Sequence, residues 1–503
     1  MIAKTFSAIP YGFDGRLIEV EGDMNRGLPA FYIVGMANKT INEAKERVKS
    51  AIINSNFVFP DKKVTINLAP ADLSKDGSYL DLAIALTILI LSGQLREQDI
   101  KNKLFVGELS LTGQLRPVKG IINIIECAKQ AGVHEVFIPR ANLSQATMIK
   151  DIKIYGVENL TSLFLHLKKI QSIEQFQTLA AQPPTGPSNN GPFLDHICGQ
   201  ELAKRAITIA IAGHHNILIS GPPGAGKTLL AKTAANLLPP PTIEEKIAIT
   251  KIHSLANQAI SDNIDSRPFR SPHHTSSPIS LIGGGQSAMP GEISLAHKGI
   301  LFLDELPEFP RTVLEALRQP LEDKTITISR ANQKTTYPAD FMLIATMNPC
   351  PCGYYGDPTH ECKCTEQQIQ NYNKKLSGPL LDRIDINISV EKVKNTQLFC
   401  TEITDIKVHN VVKNTIEKAI NRQFKRYGQN GQYNSLIETR EIPKYMPMTP
   451  AANSILAKAS EKLSLSARAY FKTIKVARTI ADLDDSDLIK AEHIAEALSF
   501  RKR

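Results

Sequence analysis

Tryptophan is absent from the 503 residues, cysteine occurs only seven times, and no apolar run is long. Seven cysteines, an odd number at low density, argue against a disulfide scaffold of the kind found in small secreted domains. The longest apolar stretch, 82–91, is about half of the roughly 20 residues that a membrane span needs, so it predicts a buried helix. The first residues show no apolar core followed by a cleavage site. These absences predict a cytoplasmic protein without membrane contacts.

Charge and composition set few further limits. Lysine and arginine number 59 against 50 aspartates and glutamates, which gives a formal net charge of +9. An excess of this size over a long chain permits an acidic partner such as nucleic acid but does not require one. The hydrophobic fraction of 42% is ordinary for folded domains. At about 150 residues per domain, the length predicts roughly three domains.

The pattern along the chain predicts an α/β protein made of four segments. Residues 1–167 mix apolar strands with amphipathic helices, as in an α/β domain. Residues 168–193 are rich in proline, glycine, asparagine and serine, which predicts an interdomain linker. From 194 to 390, strands and helices alternate as in a parallel sheet with flanking helices, and 391–503 is predicted to be mostly helical.

A glycine-rich loop between a strand and a helix carries the strongest chemical prediction. The strand is predicted over 216–220 and the helix over 229–237. The loop fits a phosphate-binding pattern and consists of Gly221, Pro222, Pro223, Gly224, Ala225, Gly226, Lys227 and Thr228. Its glycines let backbone N–H groups surround phosphate oxygens, while the helix N-terminus adds positive potential. We expect Lys227 to neutralise the β and γ phosphates of ATP or GTP and Thr228 to bind Mg²⁺.

Two further strand ends supply groups that hydrolysis needs. The apolar strand 299–303 is followed by Asp304, an expected Mg²⁺ ligand, and Glu305, expected to polarise the attacking water. The strand 341–346 leads to Asn348, whose amide can orient water against the γ-phosphate. Asn348 is alternatively a turn residue before a proline. The order of these motifs along the chain favours the functional interpretation of the acidic pair.

An arginine near the end of this region is the candidate for a group that acts between subunits. Arg383, placed at a subunit edge, can reach the γ-phosphate bound by a neighbour and stabilise the charge that develops there. This role requires an oligomer. The alternative is a surface salt bridge of Arg383 with Asp382 or Asp385.

Four thiols within a short stretch form a candidate metal site. They stand as two pairs around a turn-rich spacer: Cys350, Cys352, Cys362 and Cys364. Tetrahedral Zn²⁺ with thiolate ligands fits this set, and a four-thiolate site is closed and therefore structural. The spacing inside each pair is one residue rather than the usual two, and His360 is a spare ligand. Reduced free thiols and a redox pair are the alternatives.

Two basic segments are candidates for contacts with DNA. Residues 267–275 precede a flexible glycine run, and 325–337 is predicted to form a β-hairpin. Both stand where inserts could project into a central pore and follow a phosphate backbone without reading its sequence. The residues concerned are Arg267, Arg270, His273, His274, Arg330 and Lys334. Structural loops are the alternative for both segments.

Together these motifs resemble the ComM/YifB family of magnesium-chelatase-like AAA+ ATPases, over nearly the whole chain. The likeness is carried by residues 221–228, 267–275, 290–297, 303–309, 348–353, 377–385, 466–468 and 476–483. The resemblance implies an AAA+ P-loop core followed by a C-terminal helical lid. It assigns Asn348 to the first sensor, Arg383 to the trans arginine finger and Arg468 to the second sensor, in the lid.

For activity and partners, the resemblance implies a homohexameric ring that encloses single- and double-stranded DNA and hydrolyses ATP with Mg²⁺. It further implies ATP-driven branch migration at DNA junctions, a helicase activity, in recombination during natural transformation. Other recombination proteins are further candidate partners. A chelatase- or chaperone-type ATPase that remodels a protein partner is the alternative function, and an ATP-dependent protease is a third.

The first segment resembles the proteolytic domain of Lon through residues 75–78 and 111–118. Such a protease needs a serine–lysine dyad, in which the lysine activates the serine. At the nucleophile position this chain has Tyr79, with Ser78 one step early, and Ile122 stands where the lysine belongs. We therefore predict a degenerate, non-proteolytic Lon-like domain that contacts DNA or stabilises the ring.

Overall fold

In the computed structural model the chain divides into two units. The N-terminal unit contains Met1–Thr185, Thr242–Ile264 and Ser329–Tyr337, and the C-terminal unit contains Gly186–Pro241, Asp265–Ile328 and Pro338–Arg503. The structure describes residues 2–35, 39–71, 73, 75, 78–146, 148–176, 191–256, 266–285, 288–330, 333–357, 360–392, 406–428 and 431–501. Over these ranges, no helix combines the length and the apolar character that crossing a membrane requires.

A mixed eight-stranded sheet forms the centre of the N-terminal unit. Its strands are β1 (Ile2–Tyr11), β2 (Asp14–Asn25), β3 (Ala30–Val34), β4 (Lys63–Ala69), β5 (Lys103–Phe105), β8 (Glu135–Pro139), β9 (Lys153–Val157) and β10 (Gln175–Phe176). Their order is β10-β9-β8-β5-β1-β2-β4-β3. β1 and β2 form an antiparallel hairpin, whereas β5 and β8 run parallel to β1. The short strands β6 (Glu108–Leu109) and β7 (Leu115–Arg116) pair separately.

The predicted buried helix lies against this sheet. All eleven residues of α2 (Asp81–Leu91) are buried, and α2 packs on β1 and β2. A helix that is apolar on all sides is stable only inside a core, which explains its central position. The other helices of the unit are α1 (Lys39–Asn54), α3 (Glu97–Ile100), α4 (Ile121–Gln130), α5 (Leu143–Ala146), α6 (Leu160–Leu167) and α9 (Ile243–Leu255).

A five-stranded parallel sheet organises the C-terminal unit. Its strands are β11 (Ile217–Ser220), β12 (Phe269–Arg270), β15 (Ile300–Leu303), β18 (Met342–Met347) and β19 (Ile386–Ser389), in the order β12-β15-β18-β11-β19. β15 and β18 are buried throughout, as expected when both faces of a parallel sheet are covered. Since all five strands run the same way, the residues that follow them meet at one edge, the carboxyl edge, and those that precede them meet at the amino edge.

Helices make up most of the rest of the C-terminal unit. α7 (Glu201–Gly213) precedes β11, and α8 (Lys227–Leu237) follows it. The remaining helices are α10 (Pro278–Ile282), α11 (Glu292–Leu295), α12 (Arg311–Ala316), α13 (Arg318–Asp323), α14 (Glu366–Lys374), α15 (Gly378–Leu381), α16 (Lys407–Tyr427), α17 (Ile442–Tyr445), α18 (Pro450–Lys462), α19 (Ala467–Leu483) and α20 (Ala491–Ser499). The described residues from 406 onward contain no strand, in line with the predicted helical lid.

Two small hairpins complete the list of strands. β13 (Gly283–Gly284) pairs with β14 (Met289–Pro290), and β16 (Thr325–Arg330) pairs with β17 (Gln333–Pro338). The second hairpin is the one predicted over 325–337. Its tip at 331–332 lies outside the described residues, as does 177–190 in the predicted linker.

Hydroxyl caps begin the two lid helices that frame the end of the chain. Thr449 Oγ1 accepts a hydrogen bond from the N–H of Ala452 at 3.3 Å at the start of α18. Ser466 Oγ accepts one from the N–H of Ala469 at 3.2 Å at the start of α19. Such caps satisfy N–H groups that the first turn of a helix leaves without partners. The cap at Ser466 thereby fixes the turn that carries Arg468.

Two segments from the middle of the chain belong to the N-terminal unit. Helix α9 contributes Lys251, whose ammonium lies 2.6 Å from the Glu126 carboxylate and 4.0 Å from the centroid of the Phe13 ring. In β17, Thr335 is 4% exposed, and its methyl carbon lies only 2.6 Å from where a β-carbon on Gly12 would stand. Both segments fall inside 194–390, the range that the sequence assigns to the ATPase core.

Candidate nucleotide-hydrolysis site

The carboxyl edge of the parallel sheet collects two of the four predicted catalytic residues, Glu305 and Asn348, together with the predicted phosphate and Mg²⁺ ligands. The phosphate loop follows β11, Asp304 and Glu305 follow β15, and Asn348 follows β18. The ends of neighbouring strands are level, since Ser220 on β11 pairs with Met347 on β18. Residues that are far apart in the sequence therefore border the same space.

The phosphate loop has the backbone shape that its glycines predict. Gly224 and Gly226 both have a φ of +75°, which glycine adopts without strain. A β-carbon at either position would meet no described atom within 4 Å, so the loop leaves room for a ligand. Gly226 is followed directly by α8, whose N-terminus presents N–H groups and partial positive charge. These features fit a phosphate group.

Lys227, the first residue of α8, is buried, with 9% of its surface exposed. Its ammonium donates hydrogen bonds to the carbonyl oxygen of Gly221 at 2.6 Å and to Asn348 Oδ1 at 2.9 Å. Burial lowers the pKa of Lys227, against the opposing effect of the Asp304 and Glu305 carboxylates. Because these two acceptors and a third, the carbonyl oxygen of Pro222 at 3.1 Å, are all neutral, a triphosphate would supply compensating negative charge at this position.

Asp304 and Thr228, the two predicted Mg²⁺ ligands, are neighbours. Thr228 Oγ1 donates a hydrogen bond to Asp304 Oδ2 at 3.1 Å, and Thr346 Oγ1 donates to the other oxygen of the same carboxylate. Hydroxyl and carboxylate oxygens are ligands that Mg²⁺ prefers. The N–H of Glu305 donates to Thr346 Oγ1 at 3.0 Å, and the Glu305 side chain is 48% exposed, which leaves its carboxylate open to water.

His274 lies beside the proposed catalytic carboxylate. Its Nδ1 is 3.9 Å from Glu305 Oε2, and its ring meets that of Phe309 edge to face at 6.4 Å between centroids. The segment that carries His274 follows β12 and so reaches the same carboxyl edge. The sequence makes His274 a DNA-contact candidate, and nothing in its local pattern links it to Glu305.

Arg383 lies at the opposite, amino edge of the sheet. Asn216, which precedes β11, donates from its side chain to the Arg383 carbonyl oxygen at 3.1 Å. The Asn216 carbonyl accepts from the N–H of Asp385 at 3.0 Å. The four residues of β11 at about 3.3 Å each separate this edge from the phosphate loop by roughly 13 Å. Arg383 and the phosphate loop of the same chain therefore lie at opposite ends of β11.

Arg468 shares a binding partner with Arg383. Both guanidinium groups contact the carboxylate of Glu322, at the end of α13, Arg468 through Oε1 and Arg383 through Oε2. Arg383 also donates to the carbonyl oxygen of Pro379 at 2.6 Å. The candidate arginine finger and the candidate second sensor therefore stand together at the amino edge.

The carboxylate of Asp385, two residues after Arg383, is bound by other groups. Asp385 binds Lys472 Nζ at 2.6 Å and accepts a hydrogen bond from the N–H of Asn216 at 3.1 Å, with His215 Nδ1 at 3.4 Å. Burial alone would raise the pKa of Asp385, but Lys472 and His215 lower it below its usual value. Lys472 and Arg468 both lie on α19, so Asp385 connects the lid helix to the Arg383 segment.

The four clustered cysteines converge. Their Sγ atoms all lie within 4.8 Å of one another, with 3.3 Å between Cys350 and Cys352 and 3.6 Å between Cys352 and Cys362. Thiolates around tetrahedral zinc stand about 3.8 Å apart at a zinc–sulfur distance of about 2.3 Å, so the set fits that ion. A hydrogen bond with the backbone of Tyr354 helps lower the pKa of Cys352 to about 6, whereas burial and hydrogen bonds with Cys352 and Cys350 raise the pKa of Cys362 to about 12.

The other cysteine and histidine groups stand apart from this set. The spare ligand His360 contacts Asp357 and stacks on Tyr354 instead. Cys127 is a further free thiol, and Cys198 is disulfide-bonded. Among the described residues, five free thiols and one disulfide-bonded cysteine do not make a disulfide scaffold.

The six DNA-contact candidates differ in availability. Arg267 donates to the carbonyl oxygens of Pro239 and Lys298 at 2.8 and 2.9 Å, and Arg270 forms a two-pronged ion pair with Glu292 at 2.6 and 2.7 Å. These guanidinium groups attach their segment to other parts of the C-terminal unit. His273 and Lys334 are exposed. The centroid of the His273 ring lies 4.1 Å from that of the His274 ring. The side chain of Arg330 lies outside the described part of the chain.

In the N-terminal segment that the sequence predicts to be Lon-like, the serine lies beside a carboxylate. Ser78 Oγ donates a hydrogen bond to Glu108, while the ammonium of the buried Lys75 donates to the carbonyl oxygen of Gly35 at 3.1 Å. Ile122 is buried in α4. Residues 76–77 of the motif lie outside the described residues. The prediction of a non-proteolytic domain stays a prediction.

The sheet and its edge define the class of protein. A phosphate loop after β11, an acidic pair after β15 and an amide after the strand between them form a P-loop core of the AAA+ type, followed by a helical region. The family descriptions that match are "Magnesium chelatase, subunit ChlI" over 193–398, "Subunit ChlI of Mg-chelatase" over 20–142 and "Magnesium chelatase, subunit ChlI C-terminal" over 408–501.

Curated relatives match nearly the whole chain. Competence protein ComM of Haemophilus influenzae is 42% identical over 502 residues, which cover 99% of this chain and 97% of the relative. The uncharacterized protein YifB of Escherichia coli is 40% identical over 97% of this chain and 95% of its own length. A magnesium-chelatase 67 kDa subunit of Chlorobaculum parvum is 24% identical over 30% of this chain and 23% of its own length. The chain belongs to the ComM/YifB family of magnesium-chelatase-like AAA+ ATPases.

Proposed function

We propose that this protein is an ATP-driven DNA motor, a homohexamer that performs branch migration at DNA junctions. The carrying observation is that the hydrolytic groups and the two arginines stand at opposite edges of one sheet. One subunit therefore offers a phosphate loop on one side and cationic groups on the other, and a closed ring lets each subunit complete its neighbour's site.

Within one subunit, the carboxyl edge performs the chemistry. Lys227 and the loop N–H groups hold the β and γ phosphates of ATP, and Glu305 takes the proton of the attacking water while Asn348 orients that water. A Mg²⁺ ion held by Thr228 and Asp304 would neutralise charge on the phosphates. Arg383 and Arg468 of the adjacent subunit stabilise the charge that develops on the γ-phosphate.

The proposed use of this energy rests on the relatives and on the basic segments. A relative that is 42% identical is named a competence protein, which supports a cytoplasmic role in DNA recombination during natural transformation. Exposed His273 and Lys334 are the candidates for contacts with single- and double-stranded DNA. Other recombination proteins are further proposed partners.

Single-stranded DNA is expected to stimulate ATP hydrolysis, and ATP is expected to drive strand displacement in three- and four-stranded junctions. The reason is that a motor hydrolyses fastest when its track is bound. The measurement is phosphate release with and without DNA, together with gel separation of displaced strands, with Lys227→Ala as the inactive control. A wild-type protein that neither binds DNA nor responds to it in ATPase rate would refute the DNA role.

A protein-remodelling ATPase is the second candidate. It is favoured by the family descriptions, which name magnesium chelatase in all three regions of the chain. In that case the ATPase rate responds to a protein partner and stays constant when DNA is added. The same hydrolysis assay therefore separates the two functions.

We also propose that the four cysteines hold a structural Zn²⁺ ion beside the nucleotide site. A β-carbon on Gly353 would lie 2.7 Å from Pro223 Cδ, so the cysteine segment lies directly against the phosphate loop. Ordering this segment supports the loop without contributing a ligand to ATP.

Freshly purified protein is expected to contain about one zinc ion per chain by elemental analysis. Cys352→Ser is expected to lose most of that zinc, to lower the melting temperature and to raise the KM for ATP, because the segment against Pro223 loses its order. Cys127→Ser, which changes a free thiol in the N-terminal unit, is the matched control. Wild-type protein free of zinc, with a melting temperature unchanged by chelator, contradicts the assignment.

A further inference from the structure

Glu322 is the common partner of the two arginines that the proposed function assigns to a neighbouring subunit's ATP. It lies near the end of α13, and its side chain is 45% exposed. One carboxylate oxygen contacts Arg468 at 2.5 Å, and the other contacts Arg383. A carboxylate that spans two guanidinium groups occupies the positions that two oxygens of a phosphate would take.

The surroundings favour an anion with more charge than one carboxylate carries. Five cationic side chains line the cavity here, namely Lys324, Arg383, Arg468, Lys472 and Lys475, together with the carboxylates Glu322, Asp382 and Asp385. Asp385 is already bound to Lys472. The buried Nε of Arg383 has no hydrogen-bond partner within the residues that the structure describes. Arg383 thus keeps a donor that Glu322 does not satisfy.

We propose that Glu322 is an internal counter-ion that holds Arg383 and Arg468 in the separate protomer and is exchanged for the γ-phosphate of the neighbour's ATP when subunits associate. This inference rests on the proposed function. The exposed carboxylate can leave without opening the core, and water solvates it when it does. Association is then coupled to ATP, because the arginines gain a new partner only when a γ-phosphate is present.

The exchange sets how much ATP is needed for assembly. In the wild type, the two arginines can bind phosphate only after Glu322 has moved away from them. The free-energy cost of displacing Glu322 therefore lowers their apparent affinity for phosphate. Glu322→Gln removes the competing charge but keeps the size of the side chain. The ATP concentration that gives half-maximal assembly should fall about tenfold in this variant.

The matched control is Glu315→Gln. Glu315 lies on the adjacent helix α12, is 36% exposed and forms a comparable ion pair with a different arginine, Arg318, at 2.7 Å. Assembly of full-length wild type and both variants is measured by mass photometry against ATP concentration, and thermal melting checks that all three fold. Only Glu322→Gln is expected to shift the midpoint.

Inorganic phosphate provides a second readout that a purely structural role would not change. Freed arginines bind phosphate from solution, so Glu322→Gln is expected to be inhibited at about tenfold lower phosphate than wild type, at constant ionic strength. Glu315→Gln should follow the wild type, because its phosphate loop and its arginine pair are both unchanged.

The outcomes separate this inference from the proposed function. A folded Glu322→Gln protein with an unchanged or higher ATP midpoint, or with reduced hydrolysis at saturating ATP, overturns the exchange and leaves Glu322 as a support for the arginines. If wild-type protein neither hydrolyses ATP nor forms oligomers when ATP is present, the proposed function itself is wrong. A lower midpoint without greater sensitivity to phosphate also counts against the exchange.

Discussion

Replacing Glu305 with glutamine is expected to leave ATP binding intact and to reduce hydrolysis about 10²- to 10⁴-fold, the usual contribution of a general base. Glutamine keeps the shape of the side chain and cannot accept the proton of the attacking water. Since the Glu305 backbone is held by Thr346 at 3.0 Å, the substitution leaves the local fold in place. The measurement pairs single-turnover hydrolysis with the binding of a fluorescent ATP analogue.

Two other variants serve as the inactive and the active control for Glu305→Gln. Lys227→Ala is expected to lose both binding and hydrolysis, because the buried ammonium is the group that meets the phosphates. Glu308→Gln changes a nearby carboxylate that is 40% exposed and pairs with Lys375 at 3.0 Å, so it should hydrolyse ATP as the wild type does. Hydrolysis by Glu305→Gln at more than about a tenth of the wild-type rate would assign the base to another residue.

Replacing Arg383 with alanine is expected to lower the rate about 10³- to 10⁵-fold while each subunit still binds ATP through its own loop. This range is typical of an arginine finger supplied by another chain or segment. The structure supports action in trans, because the full length of β11 separates Arg383 from the loop that follows that strand. Hydrolysis, ATP binding and oligomer size are measured on the same preparation.

Mixing inactive subunits distinguishes trans from cis action. A ring that contains both Arg383→Ala and Lys227→Ala subunits has some interfaces with an intact loop on one side and an intact arginine on the other. Partial recovery of hydrolysis is therefore expected on mixing. Arg422→Ala, which removes exposed ion pairs with Asp485 and Asp487 on the lid, is the control and should be fully active. If mixing restores nothing although mixed rings form, Arg383 acts within its own subunit or only structurally.

The sequence predicts those parts of the site that depend on local pattern. An apolar strand, a glycine-rich loop and a helix are contiguous, so 216–237 could be placed without tertiary information. The sequence also predicts that the acidic pair after 299–303 and the amide after 341–346 lie near the loop, because parallel strands bring their carboxyl ends to one edge. The structure has these elements at that edge.

Contacts across long sequence separations were beyond prediction. The contact of His274 with Glu305 depends on where the segment after β12 turns, and the contact of Glu322 with Arg383 spans 61 positions. Charged residues on short helices usually face solvent, so no periodicity distinguishes Glu322 from its neighbours. The backbone carbonyls that Arg267 binds and the carboxylate that Arg270 binds are likewise distant in sequence and have no local signal.

Because α9 and 329–337 belong to the N-terminal unit, the ATPase core cannot be separated from that unit by a single cut in the chain. The chain passes from one unit to the other after residues 185, 241, 264, 328 and 337. A truncation that starts near 194 would strip α9 of the Glu126 and Phe13 contacts of Lys251 and expose apolar surface. Expression of the ATPase core alone is therefore expected to give aggregated protein.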